Sequence, residues 1–584
     1  MSFRIPNDGR WVQTNNSERL GSIYASKGID LTDNVGSLRI APRLLINTST
    51  SDDADLGLPW GFRYYNSQWW AGCNQYMFKQ ASPDGSASSS FTQDAISGTP
   101  TICTSNRSDI SIFNGNMYVS GSSASLYKFN TTAWSTVAIG GSPGSADTKM
   151  MEEYASRLYC TYGAGSYRVT SMDTAESWAT IGSSYTVSVE PKYRITFIRR
   201  SSMGLWLGCV NVNNGKGAIY FWNGQQTTPN LRYDLTSNGV VAGDVERDIL
   251  YALDVNGNLL AFNGGGFSEI AQLPIPKDRY LFAPVDPDNG DRFVHPNGMT
   301  VTDGIVRVLV NGRVFDDDQT SLEALPSGIW EYSKGNGFVH KHLPTYTAKG
   351  TTTITDYGQS RIRFVGALTD AKSIGQNVSD GTLLAGMTYY YDGTNTRSAI
   401  FLDDNLETVQ KYGWVITPQI LSSSFTEMWQ KVVPRFRKLL GSTDSITVKH
   451  RVDKSDPVQI SMTWATTSTF TTTTDVSGMV GYEVEVLNGT GAGKCAHISS
   501  VSYSAPNYTV TLDDTFTGVT TGTAIAHVTS WLKDGTYSSQ ADNFSEFTLG
   551  EPSTVISAKI CAQVTGKWDL YDVFVVNSSD RQVK

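Results

Sequence analysis

The chain has 584 residues, of which 39% are hydrophobic and 17% charged, and it is rich in glycine (54) and tyrosine (28). This length exceeds what one ordinary core needs, and the composition favours many short strands with tight turns over long charged helices. The formal net charge of −9 argues against tight wrapping of nucleic acid, because phosphate binding requires clustered lysine and arginine.

Residues 1–50 are predicted to form an N-terminal arm and a lead-in strand. No apolar run follows the first charged residues, and no later stretch reaches the roughly 18 apolar residues of a membrane helix, so we expect a soluble protein without a membrane span. The polar part through Ser22 is typical of a mobile arm, whereas GIDLTDNVGSLRIAPRLLIN predicts an extended segment or a closing strand. A closing strand would remove the open edge of a ring of sheets.

Residues 51–410 are predicted to form a β-propeller of about six to eight blades. Asn-Gly and Asp-Gly dipeptides, which favour two-residue hairpin turns, recur between stretches rich in β-branched and aromatic residues. These stretches divide into similar blocks near 60–100, 107–137, 150–182, 190–233, 240–273, 291–343 and 360–403. A spacing of roughly 40 to 50 residues is what a four-stranded blade needs.

One block contains SMDTAESW, from Ser171 to Trp178, which resembles the Asp-box turn of sialidase-like propellers, Ser-x-Asp-x-Gly-x-Thr-Trp. Ala175 and Ser177 stand at the glycine and threonine positions of that pattern. The resemblance implies a folding element in which Asp173 accepts hydrogen bonds from turn amides and the tryptophan packs between blades. It implies no catalytic role, and a chance match is the alternative interpretation.

The pattern changes near residue 411, and 411–584 is predicted to be a β-sandwich or β-barrel with an inserted β-subdomain at 476–530. The start of this region leaves two interpretations open. Ser424 stands three residues before Glu427, as in a helix capping box. Pro434 would limit such a helix to about two turns, so a strand is the alternative.

No cofactor and no metal site are predicted. The six cysteines are widely spaced, contain no CxxC pair and are expected to be buried thiols. His340 and His342 would share one face of a strand, but a third zinc ligand cannot be identified. The acidic stretches 286–291 and 316–318 lack the spacing of an EF-hand loop and are interpreted as solvated turns.

An enzyme is not predicted either. Glycoside cleavage needs two carboxylates roughly 5 to 10 Å apart across a pocket. The sequence offers candidates that it does not distinguish from turn or surface carboxylates: Asp173, Asp234, Asp244, Asp254 and Glu331. It contains no GxSxG elbow, no HExxH and no phosphate loop.

Aromatic clusters are the clearest candidates for a glycan-binding or interface surface. They are Trp60, Tyr64, Trp69 and Trp70 in the first repeat, and Tyr389 and Tyr390 in the last. Such rings can stack on sugars or anchor protein interfaces, although packing between blades is the favoured interpretation.

Two stretches carry a resemblance of the whole chain to tail proteins of tailed bacteriophages: GIDLTDNVGSLRIAPRLLINT and WVITPQILSSSFTEMWQKVVPRFRKLLGSTDSITVKHRVDK. Tail nozzles of short-tailed phages in that group combine a propeller with further β-domains and form rings around the DNA channel. The resemblance implies a virion structural protein, synthesised in the host cytoplasm, that forms a ring of its own copies, with a hexamer expected. Its other expected partners are tail, portal or adaptor proteins, and viral DNA that passes without specific binding. The acidic balance suits such a channel wall.

Other functions stay open at this stage. A distal tail component would also fit the resemblance. A host-surface carbohydrate-binding or carbohydrate-cleaving propeller, acting as a receptor-binding tail protein, would use the aromatic clusters. A monomeric adhesin or scaffold would have no place in a virion.

Overall fold

The computed structural model describes the following residues: 3–4, 25–27, 29–30, 38–40, 44–46, 57–74, 76–80, 91–94, 108–120, 125–139, 150–163, 166–213, 215–273, 293–312, 327–334, 337–342, 344–348, 361–371, 383–390, 396–403, 412–417, 420–421, 429–452, 457–486, 491, 494–516, 519, 521–551, 555–564 and 568–577. Apart from short 3-10 turns such as Ser477–Met479, the regular structure in these ranges is β-strand, which confirms the predicted all-β class. In these described ranges, no helix is long and apolar enough to cross a membrane.

Five short strands come from the first 46 residues: β1 (Phe3–Arg4), β2 (Ala25–Lys27), β3 (Ile29–Asp30), β4 (Leu38–Ile40) and β5 (Leu44–Ile46). The next strands form four consecutive antiparallel sheets. Sheet 1 contains β6 (Pro59–Tyr65), β7 (Gln68–Cys73), β8 (Tyr76–Gln80) and β9 (Thr92–Gln93). Sheet 2 contains β10 (Ile110–Phe113), β11 (Asn116–Ser120), β12 (Ser125–Phe129) and β13 (Trp134–Ala138). Sheet 3 contains β14 (Met151–Tyr154), β15 (Arg157–Tyr162), β16 (Arg168–Met172) and β17 (Val187–Ser188). Sheet 4 contains β18 (Tyr193–Ser201), β19 (Gly204–Asn211), β20 (Ala218–Trp222) and β21 (Leu231–Asp234).

Three further sheets complete this part of the chain. Sheet 5 contains β22 (Val240–Glu246), β23 (Ile249–Asp254), β24 (Asn258–Phe262) and β25 (Phe267–Gln272). Sheet 6 contains β26 (Met299–Thr302), β27 (Ile305–Val310), β28 (Gly328–Ser333) and β29 (Gly337–His342). Sheet 7 contains β31 (Arg361–Asp370), β32 (Leu383–Tyr390) and β33 (Thr396–Asp403), and it is extended by β5 and by β30 (Pro344–Ala348).

The first hairpin of several sheets turns through two residues that both have positive φ. Asn114 and Gly115 (φ 47° and 73°) form this turn between β10 and β11, as their dipeptide predicts. Ala155 and Ser156 (φ 47° and 59°) make the same turn between β14 and β15 without a glycine. The right-handed twist of the paired strands imposes this conformation even where the local sequence disfavours it.

The seven sheets are arranged in a circle. The first strand of each sheet contacts the first strand of the next, in the order β6, β10, β14, β18, β22, β26 and β31, and β31 contacts β6 again. A circle of small antiparallel sheets around a central axis is the arrangement of a β-propeller, as the repeat spacing predicts.

The described core of this circle is divided into seven apolar clusters, each formed mainly by two adjacent sheets. Trp60 and Trp70 of sheet 1, for example, pack with Ile110 and Met117 of sheet 2. Each sheet therefore buries both of its faces against neighbours, and opening one seam would expose a face of each of the two sheets that meet there.

The N-terminal segment closes the circle. Strand β5 pairs antiparallel with β33, placing Leu45 opposite Leu402, so the start of the chain supplies a strand of the last sheet. Gly366 of β31 approaches sheet 1 so closely that a Cβ there would overlap the Pro59 carbonyl oxygen. The segment thus forms the closing strand that was one of the two predicted alternatives.

The remaining strands are β34 (Tyr412–Ile416), β35 (Ile420–Leu421), β36 (Trp429–Phe436), β37 (Ser445–Arg451), β38 (Val458–Trp464), β39 (Thr469–Thr472), β40 (Tyr482–Val486), β41 (Cys495–Ser504), β42 (Asn507–Leu512), β43 (Gly522–Tyr537), β44 (Phe547–Glu551), β45 (Val555–Gln563) and β46 (Asp569–Asn577). Two sheets share one core, because Trp429 and Val573 of the first pack in the same cluster as Val448 and Ile560 of the second. We call this part, residues 412–577, the C-terminal unit.

Within the second sheet, the pairings β43-β38-β39-β42-β41-β40-β43 close on themselves, as in a small β-barrel. The long strand β43 makes this possible, since its first half pairs with β38 and its second half with β37. The circuit has its own apolar core. Its first two strands come from residues 458–472, upstream of the boundary expected at 476.

The helix considered near residue 424 is wrong over the described residues. Trp429–Phe436 is strand β36, and Pro434 lies opposite Val573 of β46. Ser424 and Glu427, the capping-box pair, lie outside the described residues. From Val432 to Phe436, alternate residues of β36 are buried, and this two-residue period outweighs the capping signal.

The N-terminal strands connect the two parts of the molecule. Strand β1 pairs with β46, β2 pairs with β34, and β4 pairs with β46, before the chain continues to β5 in sheet 7. Strand β29 of sheet 6 contacts β2 and β3, and its Val339 belongs to the core of the C-terminal unit. Of the predicted mobile arm through Ser22, residues 3–4 are described and form β1; the rest lies outside the described residues.

A buried charge group lies in the C-terminal unit. Glu483 of β40 is in ion-pair distance of Lys449 of β37 (3.2 Å) and Lys559 of β45 (3.2 Å). All three side chains are buried. Burial alone would raise the pKa of Glu483, but the two lysines hold it well below its usual range.

Gly366→Ala tests the seam between sheets 7 and 1. The new methyl group would overlap the Pro59 carbonyl oxygen, so we expect a loss of about 1–3 kcal/mol in unfolding free energy. Gly266→Ala is the matched control, because a methyl group there meets no atom within 4 Å. Urea unfolding followed by tryptophan fluorescence measures both variants, and equal midpoints would contradict the described seam.

Glu483→Gln tests the buried charge group. Two buried lysines would lose their counter-charge, and we expect a loss of about 3–5 kcal/mol. Glu546→Gln removes an exposed partner of Lys431 (2.8 Å) and should cost less than about 1 kcal/mol. Thermal unfolding of both variants compares the two losses of stability. A Glu483→Gln protein as stable as the control would refute the burial of the charge group.

Candidate functional site

The circle of sheets encloses a cavity of about 530 Å³ on its axis. Every one of the seven sheets contributes lining residues, from its first strand or the turn before it. The charged ones are Arg63, Asp109, Glu152, Glu153, Arg199, Arg200 and Asp244. Successive side chains of a strand point to opposite faces, so each first strand presents only one or two polar groups to the axis.

Asn297, in the turn before β26, bridges several sheets across one end of the cavity. Its side-chain amide donates to the carbonyl oxygens of Trp60 (3.1 Å) and Ser108 (3.3 Å). Its Oδ1 accepts a hydrogen bond from Arg199 (3.1 Å), and its backbone oxygen accepts one from the amide of Leu368 (2.7 Å). One residue of sheet 6 thus connects sheets 1, 2, 4 and 7 and forms a floor.

Two of the lining carboxylates connect neighbouring sheets. Asp109 accepts hydrogen bonds from the amides of Ile110 (2.9 Å) and of Met151 in sheet 3 (3.1 Å). Asp244 does the same with Val245 and with Val301 of sheet 6 (2.9 Å each). Their oxygens are used in holding the circle together, which leaves them little capacity for a ligand.

Other lining charges are also committed. Arg199 donates to the carbonyl oxygens of Gly243 (2.8 Å) and Ile198 (2.9 Å) besides Asn297. Arg200 pairs with Glu153 (2.5 Å).

Two charged residues of the cavity wall, Glu152 and Arg63, have few partners of their own. No described group donates a hydrogen bond to Glu152, and Arg63 donates only to the carbonyl oxygen of the adjacent Phe62 (3.2 Å). Burial raises the pKa of Glu152 to about 7, although Arg199, Arg63 and Arg200 counteract the rise. Near neutral pH the cavity therefore offers one carboxyl group that readily holds a proton and one guanidinium group with unused donors.

The carboxylates nominated from sequence do not converge. Of that group, Asp244 alone lines the cavity. Glu331 is buried in ion pairs with Arg307 (3.4 Å) and Lys341 (3.3 Å). Asp254 accepts amide hydrogen bonds in its own turn, and Asp234 pairs with Arg232 (2.7 Å).

The aromatic candidates are mostly core residues. Trp60, Trp69, Trp70 and Tyr389 are buried, so their rings present no face to a ligand. The indole N–H groups of Trp60 and Trp70 donate to the backbone oxygens of Asn74 and Tyr65. Tyr64 is half-buried and lines the cavity. The side chain of Tyr390 lies outside the described residues.

The Asp-box-like turn lies between β16 and β17. Asp173 accepts hydrogen bonds from the amides of Ala175 (3.0 Å) and Ser177 (2.9 Å), and Ser171 accepts one from Arg157 (2.8 Å). Trp178 packs against a cluster shared by sheets 2 and 3. Asp173 thus accepts hydrogen bonds from amides of its own turn, and Trp178 packs between sheets 2 and 3.

The turn also docks on sheet 2. Glu176 accepts a hydrogen bond from Tyr118 (3.1 Å) and forms an ion pair with Lys128. Asn114 donates to the carbonyl oxygen of Thr174 (3.0 Å). These contacts are structural and lie outside the cavity.

The described residues contain no group of three or more histidine, cysteine, aspartate or glutamate side chains placed to hold a metal ion. His340 is buried, with its Nε2 at 3.0 Å from the Ser327 carbonyl oxygen. The acidic stretches 286–291 and 316–318, and Cys103, lie outside the described residues. The described thiols are free, and buried except for the partly buried Cys495: Cys73, Cys160, Cys209, Cys495 and Cys561.

Sequence reasoning missed Asn297, Glu152 and Arg63. Asn297 stands in an Asn-Gly dipeptide, which predicts a hairpin turn and nothing more, and Glu152 and Arg63 lie in ordinary strand stretches. They come together because the first strands of different sheets meet at the axis. No spacing in the sequence reports that meeting.

Comparison with known proteins assigns the chain to no family. No family model matches the chain, and no curated protein matches it. Among solved structures, BBS1N in complex with ARL6DN is similar at 11% identity and a TM-score of 0.35, covering 63% of this chain and 99% of that one. YCF48 bound to D1 peptide is similar at 11% identity and a TM-score of 0.37, covering 66% and 99%. PorZ of the Porphyromonas gingivalis type-IX secretion system is similar at 11% identity and a TM-score of 0.33. The match covers 79% of this chain and 57% of that one.

Asn297→Asp tests the floor. A carboxylate would replace the amide donor and face two carbonyl oxygens and Asp109, so this variant should lose more stability than Asn297→Ala, for which we expect about 1–3 kcal/mol. Asn263→Ala, in an exposed turn of sheet 5, is the control. Thermal unfolding ranks the variants. If Asn297→Asp unfolds at the wild-type temperature, the bridge across the axis does not exist.

Proposed function

We propose that the protein is a non-enzymatic structural component of a bacteriophage tail that assembles as a ring of its own copies, like a tail nozzle. The two stretches that resemble tail proteins support the proposal. So does the combination of parts, in which seven sheets serve as the blades of a propeller and a β-rich unit follows. The aromatic platform needed by the carbohydrate-binding alternative is largely buried, so the described residues do not favour it.

The observation that carries the proposal is the shared N-terminal segment. Strands β1 to β4 extend the two sheets of the C-terminal unit, and β5 lies in sheet 7. Since β29 also packs on the C-terminal unit, the two parts form one building block instead of two tethered domains. A wall that must keep its shape around a channel needs a block of this kind.

The DNA channel of such a ring would lie between copies. The propeller cavity is bridged by Asn297 at one end and holds about 530 Å³, far too little for a duplex. In the proposed ring the propellers stand around the channel, and the net charge of −9 keeps phosphate from adhering to the wall.

The C-terminal unit offers a surface for the contact between copies. Leu440 (62% exposed) and Phe544 (49% exposed) are close along the fold, because Gln540 donates to the Leu440 carbonyl oxygen and Phe544 bridges to Arg435 of β36. Exposed apolar side chains beside the basic residues Arg437 and Lys438 suit an interface with an acidic neighbour. A ring closes when one such heterologous contact repeats.

Particle composition and oligomeric state test the proposal. The chain should be present at fixed stoichiometry in purified virions, and the isolated full chain should form closed oligomers in sedimentation experiments. Leu440→Asp and Phe544→Asp should each shift the oligomer toward monomer while leaving thermal unfolding nearly unchanged. Met203→Asp, at a 69% exposed residue of sheet 4, is the matched control and should not. A chain missing from virions, or a monomer at every concentration, would refute the ring proposal.

A further inference from the structure

The polar groups on the wall of the axial cavity differ in how far their bonding capacity is used. Asp109, Asp244 and Arg199 make hydrogen bonds to several neighbours, and Arg200 pairs with Glu153. Glu152 and Arg63 do not have such partners among the described residues. A charged or polar side chain that lines a cavity without partners is a candidate for ligand contact.

From this arrangement we infer that the axial cavity is a binding site for a small organic carboxylate, held by Arg63 and Glu152. A guanidinium group presents paired N–H donors that match the two oxygens of a carboxylate. A protonated Glu152 adds one O–H donor from sheet 3, which lines the same cavity. The Arg63 guanidinium and the protonated Glu152 carboxyl are then both hydrogen-bond donors, so the ligand must carry acceptor oxygens.

The charge balance of the wall favours a single negative charge on the ligand. Three arginines face four carboxyl groups, and protonation of Glu152 leaves the two signs equal. Only one guanidinium group, that of Arg63, is then without a carboxylate or carbonyl partner beyond its own strand neighbour. A monoanion meets that one group, whereas a doubly charged phosphate would bring a charge that the wall does not compensate.

The shape of the cavity limits ligand size. Asn297 bridges one end, so a ligand enters from the other. A volume of about 530 Å³ is suited to a molecule of monosaccharide size. Tyr64 and the partly exposed Ile112 (38%) line the cavity and offer apolar surface to the body of the molecule.

The inferred site gives binding a defined pH dependence. The groups around Glu152 are Arg63 of β6, Asp109 before β10, Glu153 of β14, Arg199 and Arg200 of β18, and Asp244 of β22. A bound carboxylate adds negative charge and raises the pKa of Glu152 above its value in the free protein, which is about 7. Binding therefore takes up a proton above pH 7, and affinity falls with rising pH, by up to about tenfold per unit.

Two matched ligand pairs test the site on the full chain: D-glucuronate against D-glucose, and benzoate against benzamide. Within each pair only the carboxylate is changed. We expect at least one carboxylate to bind at pH 6 with a dissociation constant below about 20 mM, and its neutral partner to bind at least about tenfold more weakly. Saturation-transfer NMR detects binding in this range.

Three variants localise the binding. Arg63→Gln should weaken it by about tenfold or more. Glu152→Gln keeps a neutral donor, so it should retain binding and remove the pH dependence between pH 6 and 8. Lys216→Gln, at an exposed lysine that does not line the cavity, should change neither. Thermal unfolding of each variant confirms that the fold is kept.

The inference does not depend on the tail proposal, and the results that would overturn it leave that proposal untouched. It is overturned if neither carboxylate binds, if glucose and benzamide bind as well as their acids, or if Arg63→Gln and Lys216→Gln bind alike. Loss of binding in Glu152→Gln with the fold intact would also overturn the role of this residue as a neutral donor.

Discussion

A circle of small sheets persists only if its last sheet is bonded to its first, and the rest of this structure depends on that closure. Here β5 adds Leu44–Ile46 to the last sheet, while Gly366 and Gly386 let that sheet approach Pro59 of the first. Sheets 7 and 1 share one apolar cluster, so opening the seam between them would expose both faces of that cluster to water. The closing strand holds sheet 7 in place through β33 and through Leu44 and Ile46, which pack in the cluster between sheets 6 and 7.

Closure also creates the axial cavity and its chemistry. Only in the closed circle can Asn297 of sheet 6 reach the carbonyl oxygens of Trp60 and Ser108, which belong to sheet 1 and to the segment before sheet 2. Burial on this axis raises the pKa of Glu152 to about 7. The arrangement of side chains around the cavity therefore depends on the closed circle. The N-terminal segment connects this circle to the C-terminal unit, because its strands lie in the sheets of both.

Patterns of neighbouring residues predicted those features of the fold that neighbouring residues determine. The all-β class, the hairpin at Asn114-Gly115 and the repeat blocks follow from turn chemistry and strand composition. The equivalent turn at Ala155-Ser156 has no glycine and is imposed by strand pairing, so sequence gave no sign of it. Residues near Pro434 were ambiguous because strand β36 owes its form to partners about 115 to 150 residues away along the chain. Glu152 and Arg63 could not be paired in advance, since their meeting depends on the closed circle.

Hydrogen exchange of the intact chain, read by mass spectrometry at the peptides that contain Leu44–Ile46 and Phe401–Asp403, tests the closure most directly. These residues face each other in the ladder between β5 and β33. If the N-terminal strand closes the circle, both peptides are protected and lose protection together as denaturant is added. Rapid exchange at Leu44–Ile46 beside slow exchange at Phe401–Asp403 would contradict the account.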